Sequence, residues 1–214
     1  MSTEPKSLSE TSTAGPDGGP LLVVISGPSC AGKDSVLARL RERGYPAHLT
    51  VTATTRPKRE VRPEDHELLR FLSEEEFDEL LKSNGLLEHA EVYGYRYGVP
   101  KAPLQEALDQ DKNIIMRLDV QGAETIKRLV PAAVLIFLML SSIDEIEARL
   151  RARGQDDEAI LQKRLKAAVG ELKELPKFDY AVVNKRDCLD ETVDTIEAIL
   201  LAERCRIGRA RASI

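Results

Sequence analysis

The chain has 214 residues, of which 42% are hydrophobic and 31% are charged, and its formal net charge is −5. This length and composition predict one globular domain that is large enough to bury a core. The charge gives no indication of a nucleic-acid partner, and no apolar run is long enough to cross a membrane. Three cysteines at unrelated spacings match neither a disulfide framework nor a zinc motif, which favours a reducing compartment and a cytoplasmic location.

Both ends of the chain differ in composition from the middle. Residues 1–20 are rich in Ser, Thr, Gly and Pro and lack an apolar segment, so we expect a disordered tail and no secretory signal. Residues 204–214 contain four arginines, and we expect this basic C-terminal tail to be solvated and frayed. The sequence therefore predicts one folded domain over residues 21–203.

A phosphate-binding loop follows the first apolar run, residues 21–25. The loop reads Gly27-Pro28-Ser29-Cys30-Ala31-Gly32-Lys33 and opens a helical stretch. In a G-x-x-x-x-G-K sequence between a strand and a helix, glycines let successive backbone N–H groups point at an anion, and the helix N-terminus adds partial positive charge. Lys33 supplies a full cation for the β- and γ-phosphates of a nucleotide. The loop and Asp34 are therefore predicted to bind a nucleotide.

Asp34 departs from this pattern, because a Ser or Thr that touches Mg²⁺ normally stands there. Two interpretations stay open: Asp34 helps to hold Mg²⁺, directly or through water, or it caps the following helix. Cys30 also stands where a glycine is usual. It is either an oxidisable thiol with a lowered pKa or simply a small side chain that fits.

Further along the chain, apolar runs alternate with amphipathic stretches, which predicts a parallel sheet flanked by helices. The expected core strands are Leu21–Ser26, Asn113–Leu118, Ala133–Leu140 and Phe178–Val183. The expected helices are Asp34–Arg43, Ser73–Ser83, Val120–Leu129, Ile143–Arg153, Asp156–Leu175 and Leu189–Ala202. Capping boxes are predicted at Ser73 with Glu76 and at Ser142 with Glu145.

Two regions are typical of substrate-handling segments. Residues 50–99 have the pattern of small strands around one helix, which suggests an inserted lobe that grips a substrate. Near residue 154 one helix stops and another starts, so residues 149–164 suggest a helical lid. Arg149, Arg153 and Arg164 lie there. They either pair with nearby carboxylates or surround a transferred phosphoryl group.

Several separated motifs occur in one order after the phosphate loop. They are Thr54-Thr55-Arg56 with Arg59, Glu88, Tyr97-Gly98, Asp119-Val120-Gln121-Gly122-Ala123, Arg149 to Arg164, and Val182-Val183-Asn184. Together they resemble the guanylate kinase family from residue 21 to about residue 202. The resemblance implies an α/β fold: a P-loop kinase with a three-layer α/β/α parallel sheet, a small inserted nucleotide-monophosphate-binding lobe and a helical lid.

The resemblance also implies a reaction, in which ATP with Mg²⁺ phosphorylates GMP or dGMP. On the acceptor side, Arg56 and Arg59 would clamp the GMP phosphate, since guanidinium forks suit a dianion. Tyr97 would donate to the same phosphate, and Glu88 would accept hydrogen bonds from guanine N1–H and the 2-amino group. The remaining guanine-side contacts would come from Thr52 and Asp119. The sequence leaves both a monomer and a homodimer open.

On the donor side, Lys33 and the backbone of residues 27–34 would hold the ATP phosphates. Arg149, Arg153 and Arg164 would neutralise charge as the γ-phosphoryl group moves. Asn184 falls where the family has its adenine-side loop. No protein nucleophile is needed, because an oxygen of the GMP phosphate attacks.

Beyond the phosphate loop, four positions depart from the family pattern. Gln155 follows Gly154 where a Thr is common. Leu69 stands where a phosphate-binding tyrosine is expected, Val99 where a Ser or Thr usually touches guanine, and Arg117 where an acidic residue helps to organise the water around Mg²⁺. We hypothesise that Asp34 compensates for Arg117 by bringing a carboxylate from the loop side.

Two other functions fit parts of the pattern. Ribose 1,5-bisphosphate phosphokinase has a similar fold and loop, including G-K-D-S, but lacks the guanine-reading Glu and the D-V-Q-G-A motif. A non-catalytic module would bind phosphorylated protein segments through the substrate lobe, and the absence of a tyrosine at Leu69 supports it. Nucleotide turnover with GMP separates all three.

Overall fold

The structure, a computed structural model, describes residues 19–58, 68–92, 94–152 and 158–214. Arg59, Arg153 and residues 1–18 of the expected tail lie outside the described residues, so the predictions about them stay predictions.

A five-stranded parallel sheet forms the centre of the protein. Its strands are β1 (Leu22–Ser26), β2 (Ala47–Leu49), β7 (Asn113–Arg117), β8 (Val134–Met139) and β9 (Tyr180–Val183). They lie in the order β2-β7-β1-β8-β9, and all adjacent pairs are parallel. Every residue of β1 is buried, since helices cover both faces of the sheet. A strand covered on both sides reads as a continuous apolar run, which is why the sequence revealed it.

The helices form a layer on each face of this sheet. Helices α1 (Lys33–Glu42) and α7 (Leu189–Arg204) cover the face to which Val23 and Ile25 point. Helices α3 (Lys101–Asp109) and α4 (Val120–Leu129) cover the face to which Leu22 and Val24 point. The predicted three-layer α/β/α arrangement is therefore confirmed.

A second, smaller sheet lies within residues 52–100. It contains β3 (Thr52–Thr54), β4 (Leu69–Phe71), β5 (Leu86–Val92) and β6 (Tyr95–Pro100), in the order β4-β3-β6-β5. Helix α2 (Glu74–Lys82) contributes Phe77 to a small core with Ala53 and Leu86. The predicted capping box of α2 is confirmed, because Ser73 and Glu76 exchange both expected hydrogen bonds.

Helices α5 (Ile143–Ala152) and α6 (Glu158–Leu172) pack against each other over a shared apolar cluster that also contains Cys30. A 3₁₀ turn, Leu175–Lys177, follows α6. The capping box predicted at Ser142 is only half formed. Ser142 accepts from the Glu145 backbone N–H, but the Glu145 carboxylate accepts from Ser141 and so does not reach Ser142.

Three features differ from the expectations. Strand β2 and helix α3 were not predicted, and the C-terminal segment is not frayed. Ala212 is buried, Ile214 packs against the core beside α3 and α4, and Arg209 donates to the carbonyls of Gly19 and Pro20. Through the contacts of Arg209, the C-terminal segment lies beside the start of β1. Among the described residues, no helix is both long and apolar enough to span a membrane.

Candidate active site at the carboxyl edge of the central sheet

The loop between β1 and α1 has the backbone of an anion cradle. Gly27 and Gly32 have φ values of 131° and 91°, which favour glycine. A Cβ at Gly27 would clash with the carbonyl oxygen of Leu138, and one at Gly32 would clash with the side-chain amide of Asn184. Both positions therefore require glycine for two reasons, namely the positive φ value and the lack of space for a Cβ atom.

Lys33 is directed at this loop. Its ammonium group donates to the carbonyl oxygens of Gly27 and Pro28. Burial lowers the pKa of Lys33 to about 8, with a smaller lowering from Arg117 and an opposing contribution from Glu171. An anion placed in the loop would restore the charged form, so the site is built to favour phosphate.

Glu171 is a residue that sequence reasoning missed. It lies on α6, and burial raises the pKa of its carboxyl group, while Lys33 acts in the opposite direction and Asp119 adds to the rise. Its Oε2 atom is buried and accepts no hydrogen bond from the described residues. Sequence alone gave no signal for it, since one Glu on an amphipathic helix is ordinarily solvated.

Asp34 and Arg117 form an ion pair beside the loop. Arg117 ends β7 and stands opposite Ile25 in β1, directly before the loop, and its side chain is only 16% exposed. The N-cap of α1 is Gly32 and no side chain caps it, so the interpretation of Asp34 as a helix cap is wrong. The magnesium role of Asp34 stays a prediction.

Glu88 lies in β5 and is buried, with 6% of its surface exposed. It stands opposite Val99 and packs against Gly122 at the start of α4, where a Cβ would lie 3.2 Å from Glu88 Oε1. Burial, reinforced by Asp119, raises the pKa of Glu88 to about 7. A buried carboxylate with unused acceptor capacity is well suited to a ligand that offers paired N–H donors.

The other predicted acceptor-side residues lie in or beside the small sheet. Thr52 is buried in β3, Tyr97 stands opposite Thr54 in β6, and the backbone N–H of Arg56 donates to Thr54 Oγ1 at 3.1 Å. Asp119 caps α4 by accepting from Gly122 N at 2.8 Å. Leu69 is buried in β4 and stands opposite Thr52 of β3.

Asn184 connects the phosphate loop with the helices around it. Its side-chain amide donates to Ala31 O at 2.7 Å, and its Oδ1 accepts from Thr192 Oγ1 at 3.1 Å. Its backbone carbonyl accepts from Arg149, which also forms an ion pair with Glu145. Arg149 thus lies beside the loop, whereas Arg164 is half-buried on α6.

Cys30 is buried among side chains of α5 and α6, including Ile146 and Leu150. This position favours the interpretation of a small side chain that fits. Among the described residues, no three or more His, Cys, Asp or Glu side chains are grouped to hold a metal ion.

Comparison with known proteins agrees with this arrangement. The family model described as guanylate kinase matches residues 20–203. The chain belongs to the guanylate kinase family. A guanylate kinase of Clostridium perfringens (strain SM101 / Type A) is 41% identical over 194 residues, which cover 91% of this chain and 88% of the relative. One of Hydrogenovibrio crunogenus is 38% identical over 183 residues, covering 86% and 88%.

A solved structure extends this family likeness to the fold. The crystal structure of guanylate kinase from Anaplasma phagocytophilum superposes with a TM-score of 0.71 at 30% sequence identity and covers 89% of each chain. The resemblance stated from motifs is thereby confirmed over nearly the whole described chain.

Proposed function

We propose that this protein transfers the γ-phosphoryl group of ATP to GMP or dGMP, giving ADP and GDP or dGDP. The observation that carries the proposal is the buried Glu88, placed beside the N-terminus of α4 in a chain that also has the glycines and the lysine of a phosphate loop. Membership of the guanylate kinase family supports the same reaction.

The donor side is assigned to the phosphate loop. Backbone N–H groups of residues 27–34 bind the ATP phosphates, and Lys33 leaves the carbonyls of Gly27 and Pro28 to contact the β- and γ-phosphates. Asn184 holds the loop in shape through Ala31. Mg²⁺, when bound with ATP, neutralises phosphate charge.

The acceptor side is assigned to the small sheet and the start of α4. Glu88 accepts hydrogen bonds from guanine N1–H and the 2-amino group, and Thr52 and Asp119 complete the guanine contacts. Arg56, Arg59 and Tyr97 bind the GMP phosphate. AMP lacks the paired donors and would leave the Glu88 charge buried and unsatisfied, which disfavours it.

The transfer itself requires alignment and charge stabilisation. An oxygen of the GMP phosphate attacks the γ-phosphorus and forms a new P–O bond, while the bond from the γ-phosphorus to the bridging oxygen breaks and ADP leaves. Arg149, Arg153 and Arg164 neutralise the charge on the moving group, and closure of the α5–α6 segment excludes water.

ADP release measured with GMP, dGMP, AMP and ribose 1,5-bisphosphate as acceptors tests the proposal. We expect turnover with the two guanine nucleotides. A Glu88→Gln variant should lose roughly 10- to 100-fold in kcat/KM for GMP, since hydrogen bonds to a charged group contribute about 1.5–3 kcal/mol, while the KM for ATP stays unchanged. Turnover with the sugar bisphosphate alone would overturn the proposal.

A further inference from the structure

The contact between Asp34 and Arg117 joins two positions that both depart from the usual pattern of this site. Asp34 lies in the first turn of α1 and Arg117 at the carboxyl end of β7, and their side chains are 40% and 16% exposed. Arg117 is close enough to Lys33 to lower its pKa, so the pair borders the same phosphate-binding space.

A carboxylate at this place opposes phosphate binding unless a cation neutralises it. Two like charges a few ångströms apart repel each other, and they do so more strongly at a partly buried site than in bulk water. Lys33 donates to the carbonyls of the loop, whereas Arg117 contacts Asp34 directly. The guanidinium of Arg117 is therefore paired with the Asp34 carboxylate.

We propose that Arg117 is a positioning residue that neutralises Asp34, so that the two side chains act as one neutral unit and the phosphate loop can bind a nucleotide despite its aspartate. This inference rests on the proposed function, because it requires the loop to bind nucleotide phosphates. It assigns Arg117 no direct contact with the phosphates.

The test is a double-variant cycle on the affinity for ADP, measured by calorimetry in EDTA so that no metal neutralises the phosphates. Arg117→Met should weaken ADP binding about tenfold or more, because the Asp34 charge is then unpaired, whereas Asp34→Ser should leave binding unchanged or tighter. The double variant should return to within about threefold of the unmodified protein. Arg117→Lys should retain most of the affinity.

The directions of these changes in ADP affinity distinguish neutralisation of Asp34 from other roles of Arg117. If the double variant binds ADP as weakly as Arg117→Met, then Arg117 acts on the phosphates or on the fold, and the inference is overturned. Arg43→Met is the matched control, because Arg43 forms an ion pair with Asp194 at the other end of α1, and its loss should not change ADP affinity. Failure of the unmodified protein to bind ADP would instead overturn the proposed function, and the inference with it.

Discussion

Burial brings the pKa values of Lys33 and Glu88 close to neutrality, to about 8 and about 7. Burial destabilises the charged form of both side chains relative to water. Their ligands are expected to reverse this effect, since phosphates favour a charged Lys33 and guanine N–H donors favour an ionised Glu88. Ligand binding should therefore move protons at both ends of the site.

Lys33 gives the first measurable consequence. At pH 8.5 a group with a pKa of about 8 is mostly neutral, and bound phosphate should recharge it, so ADP binding should take up most of one proton. Calorimetry in buffers with different ionisation enthalpies measures this number. Lys33→Arg keeps the charge at all relevant pH values, so its proton uptake should be near zero. Equal uptake by both proteins would contradict the assignment.

Glu88 gives the second consequence, which concerns stability. Its folded pKa of about 7 lies above the ordinary value of 4.5, so its contribution to stability is present at low pH and is lost as pH rises through 7. The full cost is on the order of 3 kcal/mol. Without nucleotide, Glu88→Gln should therefore be more stable than the unmodified protein at pH 8 but not at pH 4.5.

Thermal unfolding at both pH values measures this difference. Glu91→Gln is the matched control, since Glu91 lies in the same strand and is exposed. A stability gain for Glu88→Gln that is equal at both pH values would count against burial as the cause.

At the scale of elements, the sequence predicted those that obey a simple pattern. The phosphate loop and β1 were evident because a fully buried strand and a glycine-dependent turn constrain residue type strongly. Strand β2 was missed because it has three half-buried residues, and α3 because Pro103 stands in its first turn. The contact of Asp34 with Arg117 required the register of β7 beside β1, which no local pattern contains.

The loop that contains Asn184 provides a prediction about element packing. Asn184→Ala would leave Ala31 O and Thr192 Oγ1 without this partner and would loosen the phosphate loop. We expect about 1–3 kcal/mol lower stability and about tenfold weaker ADP binding, with an unchanged KM for GMP. Thr192→Val loses the hydrogen bonds to Asn184 Oδ1 and to the Cys188 carbonyl but keeps the contact of Asn184 with Ala31, so it should have a smaller effect on ADP affinity. If Asn184→Ala weakened ADP binding and raised the KM for GMP by the same factor, a role confined to the donor side would be contradicted.

At the scale of the whole molecule, the two ends of β1 have different tasks. Its carboxyl end leads into the phosphate loop, whereas its amino end is held by the C-terminal segment through Arg209, Ala212 and Ile214. The segment packs because its small and apolar side chains fit beside α3 and α4. Changes at the amino end of β1 should therefore affect stability, whereas changes at its carboxyl end should affect catalysis.

Removal of residues 209–214 tests this separation. The loss of the buried Ala212 and Ile214 contacts should cost about 1–3 kcal/mol and lower the unfolding midpoint by several degrees. The kcat/KM for GMP should be unchanged at a temperature where both proteins are folded. Ile207→Ser, at a side chain that is 95% exposed, should change neither quantity. A loss of activity without a loss of stability would contradict this division.

Phosphoryl transfer to GMP can be followed on the transferred phosphate itself. The protein is incubated with Mg²⁺, GMP and ATP labelled at the γ-phosphate, and the products are separated. We expect label in the β-phosphate of GDP, equimolar ADP and no label in inorganic phosphate. Label that appears only in inorganic phosphate, or that stays in ATP while the protein binds both nucleotides, would contradict it.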